Sequence, residues 1–249
     1  MTAERSTSAR WRASGLLLPS VAAAVALAIL LSLGSWQLKR KAWKEGIVAK
    51  IAERVTAKPV PFEQLSPATL ASADVEYLHV SVTGRLHHDK EHYLYAPGQS
   101  GLAWQVLTPL EWKPGEIVWL NRGLVPDARR APQTRPQGQV TGTITITGLL
   151  RRPQAGSFTP ANDLARNIWY FADPAELTRA SFTATSVNTA PVVIEADASA
   201  TPPGGLPTAG VTKLQIPNRH LEYAVTWFGL AATLIGVFVF FARARLRSR

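Results

Sequence analysis

The 249-residue sequence contains no cysteine. Disulfide bonds, thiolate metal sites and cysteine nucleophiles are therefore excluded. The sequence also lacks a P-loop, a dinucleotide-binding glycine motif, a serine-hydrolase elbow and a zinc-protease helix. The common motifs of nucleotide binding and hydrolysis are thus missing. The redox compartment stays open, because an exported domain can fold without disulfides.

Charged side chains are scarce as well, at 18% of the residues where soluble proteins have about 25%. The shortage is local, since residues 13–38 and 223–242 carry no charge. Two such runs exclude an ordinary soluble enzyme and a disordered chain. About twenty helical residues cross the hydrocarbon core of a membrane, so transmembrane helices are predicted over residues 15–36 and 223–242. A cleaved signal peptide is the alternative for the first run.

The formal net charge of +10 comes from the flanks of these runs. Basic residues dominate residues 1–44 and 243–249, whereas residues 45–242 are neutral overall. No basic face therefore indicates nucleic-acid binding. The arginine-rich end predicts cytoplasmic tails at residues 1–14 and 243–249, although basic residues at positions 39–44 oppose this orientation. Residues 37–222 are accordingly predicted to form an extracytoplasmic domain.

The region between the runs has the pattern of a mostly antiparallel β structure. Alternation and turn residues predict strands over residues 75–84, 92–96, 104–110, 117–123, 140–150, 168–171 and 192–195. Helices are expected over residues 39–58 and 62–71, an exposed loop over 126–138 and a flexible stretch over 202–210. The predicted fold class is an α+β membrane protein, in which two transmembrane helices flank an antiparallel sheet or partly closed barrel.

The motif Asn121-Arg122-Gly123 ends an apolar strand and is predicted to be structural. We expect Arg122 to pair with a carboxylate or with carbonyls at the strand end. Gly123 is expected to adopt a backbone conformation that a Cβ atom would oppose.

Histidines supply the candidate metal ligands. His87, His88 and His92 lie in the run HHDKEH and could bind copper or zinc through their imidazoles. The favoured interpretation is a solvated polar turn, because adjacent residues of a strand point to opposite faces.

Another histidine, His220, lies three residues before the second apolar run. It shares a helix face with Tyr223, Ala224 and Trp227, and Asn218 is expected to cap this helix. An imidazole above an aromatic patch at the membrane boundary suits haem with an axial nitrogen ligand. An interfacial histidine that binds water or lipid headgroups fits the same pattern, and the residues alone favour that reading.

Eight segments in order resemble the Surfeit-locus-one family over about residues 32–241. They are residues 34–40 (GSWQLKR), 83–86 (TGRL), 108–110 (TPL), 121–126 (NRGLVP), 148–151 (GLLR), 167–170 (NIWY), 203–205 (PGG) and 217–228 (PNRHLEYAVTWF).

The resemblance implies a cytochrome c oxidase assembly factor rather than an enzyme. It implies that the protein binds haem a and assists its insertion into oxidase subunit I. His220 would be the iron ligand, Tyr223 and Trp227 would line the contact, and Trp36 would face it from the first span. The implied partners are subunit I, the haem a synthesis machinery and the lipid bilayer. The short N-terminus favours a bacterial inner membrane.

Two other functions remain open. The first is a cofactor-free scaffold for an oxidase intermediate, in which Trp36, Tyr223 and Trp227 form a helix-packing seam. The second is copper delivery through the HHDKEH histidines, which the lack of sulfur ligands disfavours because Cu(I) prefers them.

Overall fold

The computed structural model describes residues 15–98, 101–183, 187–212 and 218–247. The predicted tail at residues 1–14 lies outside the described residues, as do Ser248 and Arg249. The chain divides into two compact units, one made of residues 1–50 and 215–249 and the other of residues 51–214.

The described helices and strands follow one another along the chain. They are α1 (Leu17–Thr56), β1 (Val60–Pro61), α2 (Pro67–Ala71), β2 (His79–Leu86), β3 (His92–Gly98), β4 (Gly101–Lys113), β5 (Glu116–Pro126), β6 (Thr143–Arg151), β7 (Ile168–Trp169), α3 (Pro174–Ser181), β8 (Asn188–Ala196) and α4 (His220–Arg247).

Helices α1 and α4 are the long apolar elements of the described chain. Both are long and apolar enough to cross a membrane. Helix α1 continues without a break to Thr56, so the helices predicted over residues 15–36 and 39–58 form one element. It ends before Pro59, as expected, because a residue that precedes proline disfavours helical geometry. The division into spans at 36 and 223 stays a prediction.

A closed barrel forms the centre of the second unit. Among the described strands, the ring runs β2–β6–β8–β5–β4, and β4 pairs with β2 to close it. Every pairing in this ring is antiparallel except that of β5 with β8. A ring with an odd number of strands cannot alternate direction throughout, so one parallel pair is required. The order along the chain matches five-stranded Greek-key barrels of the OB-fold type.

Two layers of apolar side chains surround strand β5. Val118 and Leu120 point into the barrel, whereas Ile117 and Trp119 pack on the outside beneath α3. The barrel interior takes buried side chains from all the ring strands. They include Val80, Val82, Leu86, Leu110, Ile146, Leu150, Val192 and Ile194. Burial on both faces explains why β5 reads as a continuous apolar run.

The structure confirms the mostly antiparallel sheet and corrects two loops. The stretch at 202–210, expected to be flexible, pairs with β5: Leu124 and Thr208 exchange backbone hydrogen bonds of 2.9 and 2.8 Å. The loop at 126–138, expected to be exposed, buries Arg135 and Gly138. Both loops are held because β5 and its flanks present bonding groups that sequence patterns do not show.

The stretch at 202–210 packs directly against Gly123 and leaves no room for a side chain at that position. The φ of Gly123 is +107°, and a Cβ atom would overlap the carbonyl oxygen of Thr208. Gly142 also has a positive φ, +85°, but a Cβ atom there would meet open space. A substitution at Gly142 therefore introduces backbone strain alone, whereas a substitution at Gly123 adds a steric clash.

Gly123→Ala should destabilise the protein more than Gly142→Ala. Strain costs about 1–3 kcal/mol at either position, and the clash adds to it only at Gly123. The measurement is the thermal midpoint of the purified full chain for both variants. Equal shifts would show that the contact with Thr208 is unimportant.

Candidate functional site

The candidate site of the first unit is a hydrogen bond between its two helices. Nδ1 of His220, the first residue of α4, lies 2.7 Å from Oε1 of Gln37 in α1. Both side chains are half-buried. Nε2 of His220 has no hydrogen-bond partner among the described residues. The imidazole is thus held on one side and open on the other.

Small residues let the two helices approach at this point. Gly34, one turn before Gln37 on the same side of α1, lies against the ring of Phe228: a Cβ atom there would come within 2.7 Å of that ring. Ala224 is buried on the facing side of α4. Glycine and alanine allow close packing of apolar helices, as small residues do in membranes.

The aromatic residues predicted at this site lie at its surface. Trp36 exposes 54% of its area and Tyr223 exposes 55%, while Trp227 is half-buried. Of the described residues in α1, Gln37 is the one that bonds to His220. Consecutive helical residues point about 100° apart, so Trp36 is turned aside when Gln37 faces α4.

The prediction that Asn218 caps α4 is wrong. Oδ1 of Asn218 is buried and accepts no hydrogen bond among the described residues. The helix begins at His220, two residues further on, so Asn218 lies one position before the one that a capping side chain occupies.

The histidines of the HHDKEH run are held apart by different partners. Nε2 of His87 bonds to Glu111 at 2.9 Å, and Nε2 of His88 bonds to the carbonyl of Val140 at 2.8 Å. Among the described residues, no group of three histidine or acidic side chains could hold a metal ion. These imidazoles therefore have structural contacts, and Glu91 within the run is buried, so the favoured interpretation of a solvated turn is wrong.

His92 is a structural residue between two tryptophans. Its Nδ1 lies 2.6 Å from Oδ1 of Asn167 and its Nε2 lies 2.7 Å from Oγ of Ser181. Its ring packs 5.4 Å from that of Trp119 and 4.8 Å from that of Trp169. Burial lowers the pKa of His92 below 6.5, against the opposing effect of the bond to Asn167.

Acidification below about pH 6.5 should therefore destabilise the domain through His92. The native state binds this proton less readily than the unfolded state, so stability is full above 6.5 and falls as the pH drops. His79 acts oppositely: burial lowers its pKa, but bonds to Ala57 and Asp197 raise it overall. Its contribution is present at low pH and is lost as the pH rises through its folded pKa.

Thermal midpoints measured between pH 7.5 and 5.5 test these opposite effects of His92 and His79. His79→Asn should steepen the loss of stability on acidification, and His92→Asn should flatten it. Unchanged slopes in both variants would contradict the assignment.

A buried charge cluster explains the Asn121-Arg122-Gly123 motif. Nη1 of Arg122 donates to Glu91 at 3.1 Å, and its Nη2 donates to the carbonyl of Gly138. Arg135 also donates to Glu91. All three charged side chains are buried. The prediction that Arg122 pairs with a carboxylate or with carbonyls is confirmed. Sequence patterns did not indicate that Glu91 and Arg135 belong to the same cluster.

Electrostatics keep this cluster charged. Burial raises the pKa of Glu91, but hydrogen bonds from His88 and Arg135 and the charges of Arg135 and Arg122 lower it overall. Burial lowers the pKa of Arg122 to about 10, so its guanidinium is still protonated at neutral pH. The cluster joins the residue before β3 to β5 and to the loop at 126–138, and its role is structural.

A groove of mixed polar and apolar lining lies on the outside of the barrel. It consists of cavities of about 530 and 630 Å³ that share Gln105, Asn121, Arg151 and Glu195 in their walls. Nε of Arg151 bonds to Glu76 at 2.6 Å, and its Nη1 bonds to Glu195 at 3.4 Å. Because both carboxylates balance its charge, Arg151 gives the groove no preference for an anion.

Comparison with known proteins decides the family. A family model described as the SURF1 family matches residues 24–232. The chain belongs to the SURF1 family. It is 36% identical over 230 residues to a SURF1-like protein of Monosiga brevicollis, which covers 86% of this chain and 84% of that protein.

Vertebrate relatives agree with this assignment. Surfeit locus protein 1 of Xenopus tropicalis is 35% identical over 221 residues, covering 81% of this chain and 68% of that protein. The protein of the same name in Homo sapiens is 33% identical over 220 residues, with coverages of 80% and 69%. The region matched by the SURF1 family includes Gly34, Gln37, His220 and Phe228, so the contact between α1 and α4 lies inside it.

Proposed function

We propose that this protein is a cytochrome c oxidase assembly factor that binds haem a through His220 and assists its insertion into oxidase subunit I. The proposal assigns it no enzymatic step. One observation carries it: Gln37 holds Nδ1 of His220 while Nε2 has no partner among the described residues. A neutral imidazole with one nitrogen available is a common haem ligand in proteins.

The surroundings of His220 suit a flat apolar group. Tyr223 and Trp36 are about half exposed and Trp227 is half-buried, so aromatic surface is available beside the imidazole. Haem bound here would receive a nitrogen ligand from His220 and apolar contact from the aromatic rings. A single protein ligand makes the hold reversible, which suits transfer to another protein.

A cofactor-free scaffold is the second candidate. The observation that favours it is the same exposed aromatic surface, since exposed tyrosine and tryptophan are typical of protein interfaces. In that case Trp36, Tyr223 and Trp227 would form the helix-packing seam for an oxidase subunit, and His220 would only join the helices.

Complementation separates the two functions. Cells that lack this protein would receive the wild type or His220→Ala. A carrier predicts that subunit I still accumulates with His220→Ala but lacks haem a. A scaffold predicts that His220→Ala restores subunit I with its haem. The second result would contradict the haem proposal.

We further propose that α1 and α4 cross a bacterial inner membrane, with both termini cytoplasmic and the barrel periplasmic. The arginines at positions 243, 245, 247 and 249 support this orientation. The haem a synthesis machinery, a membrane system, would then be a neighbour. The quoted relatives are eukaryotic and bear on the family rather than on this location.

Reporter fusions should show this topology. A periplasm-active reporter fused after residue 130 should be active, and the same reporter fused at the C-terminus should be silent. Activity at both positions would show that α4 does not span the membrane.

A further inference from the structure

Gln37 is the polar residue that the fold places against the candidate ligand. It follows the apolar part of α1 directly, and its half-buried side chain reaches His220 across the helix pair. A leucine or methionine would fill such a position in an apolar helix seam. A glutamine there favours a hydrogen-bonding partner, because an amide left unsatisfied in a partly buried position costs free energy.

We propose that Gln37 is a positioning residue that fixes the tautomer of His220. The inference rests on the proposed haem-binding function. The atom of Gln37 that faces Nδ1 is the amide oxygen, which only accepts hydrogen bonds. Nδ1 therefore carries the proton. Because a neutral imidazole has a single N–H, the lone pair lies on Nε2.

This arrangement matches how proteins prepare histidine ligands. A ligating histidine usually donates its other ring N–H to an oxygen, which sets the tautomer, orients the ring and makes the ligating nitrogen more basic. Gln37 provides that oxygen to His220 before any ligand arrives. Without it, the proton can move to Nε2, and the tautomer that binds iron becomes only part of the population.

The packing of α1 on α4 keeps the two residues in register. Gly34 and Gln37 are three positions apart on α1, and His220, Ala224 and Phe228 are spaced four apart on α4, so each set shares one face. The ring of Phe228 rests against Gly34. This contact sets a short helix separation near Gln37, which lets a side chain of ordinary length reach Nδ1.

The first test reads the tautomer without haem. The full chain is labelled with ¹⁵N-histidine in lipid nanodiscs, and the signal that disappears in His220→Ala is assigned to His220. At neutral pH the wild type should show a protonated Nδ1 and an unprotonated Nε2. Gln37→Leu should give a mixture of both tautomers. A mixture in the wild type, or an unchanged signal in Gln37→Leu, would overturn the inference.

The second test measures haem affinity by titration of the Soret band. Gln37→Leu should bind haem about 10–100-fold more weakly, the usual cost of removing the partner of a ligating histidine. Gln37→Glu, whose carboxylate accepts the same bond, should bind at least as tightly as the wild type. Ser35→Ala, at an exposed neighbouring position, is the control and should not change the affinity. Gln37→Met replaces the leucine variant if that protein does not accumulate.

The outcomes distinguish this inference from the proposed function. If His220→Ala loses haem but Gln37→Leu binds like the wild type, the positioning role is wrong and the proposed function stands. If Gln37→Glu loses affinity as much as Gln37→Leu, the accepting oxygen is not what matters, and the inference is again overturned. If His220→Ala also binds normally, the proposed function itself fails.

Discussion

Glu91→Leu should destabilise the barrel by about 3–5 kcal/mol, because removing one partner of a buried ion pair leaves uncompensated charge behind. In this protein two guanidinium groups would be left, those of Arg122 and Arg135, both at most 6% exposed. Folded domains are stable by only about 5–15 kcal/mol. We therefore expect the variant to accumulate poorly and to unfold at a much lower temperature than the wild type.

Asp89→Asn provides a control two residues away. Its side chain is 69% exposed and lies 3.6 Å from Lys90, and exposed pairs contribute about 0–1 kcal/mol. Thermal unfolding of the purified full chains would compare the two variants. If Glu91→Leu and Asp89→Asn unfold at the same temperature, the buried cluster is not a main source of stability.

His220→Ala should weaken haem binding by more than about 100-fold. Losing the partner of a ligating histidine costs about 10–100-fold, and losing the ligand itself should cost more. The variant should remain folded, since His220 is the first residue of α4 and the packing of Gly34 on Phe228 does not involve it. Titration of the purified chain with haem gives the affinity.

His87→Ala is the matched control for this loss. It removes an imidazole that bonds to Glu111 in the barrel, so haem affinity should stay at the wild-type value. An equal loss in both variants would indicate nonspecific binding of haem through surface histidines.

The strands were largely predictable, most from the alternation that follows from burial on one face and β5 from its continuous apolar run. Each predicted strand overlaps one that the structure shows, with ends that differ by a few residues. Helix α3 was missed although Asp173 caps it and Pro174 occupies its first turn, signals that the sequence contains. Closure of the ring was not predictable, since β2 and β4 meet through Arg85 with Glu111 and Leu86 with Leu110.

The candidate site was likewise predictable only in part, because its contacts join distant segments of the chain. Helical spacing led to His220, but its partner lies 183 residues away in the chain, and local patterns do not pair residues so far apart. Packing at Gly34 turns Gln37 toward α4, a contact that helical spacing within α4 alone does not reveal. In the barrel, Glu91 read as part of a solvated turn because the arginines that bury it come from other segments.

The most direct test of the carrier role is the haem a content of the protein as isolated. The full chain and His220→Ala would be purified in parallel from cells that synthesise haem a, and bound haem would be extracted and quantified per chain. We expect the wild type to carry haem a and His220→Ala, at equal abundance, to carry almost none. Equal haem a in both preparations would contradict ligation by His220.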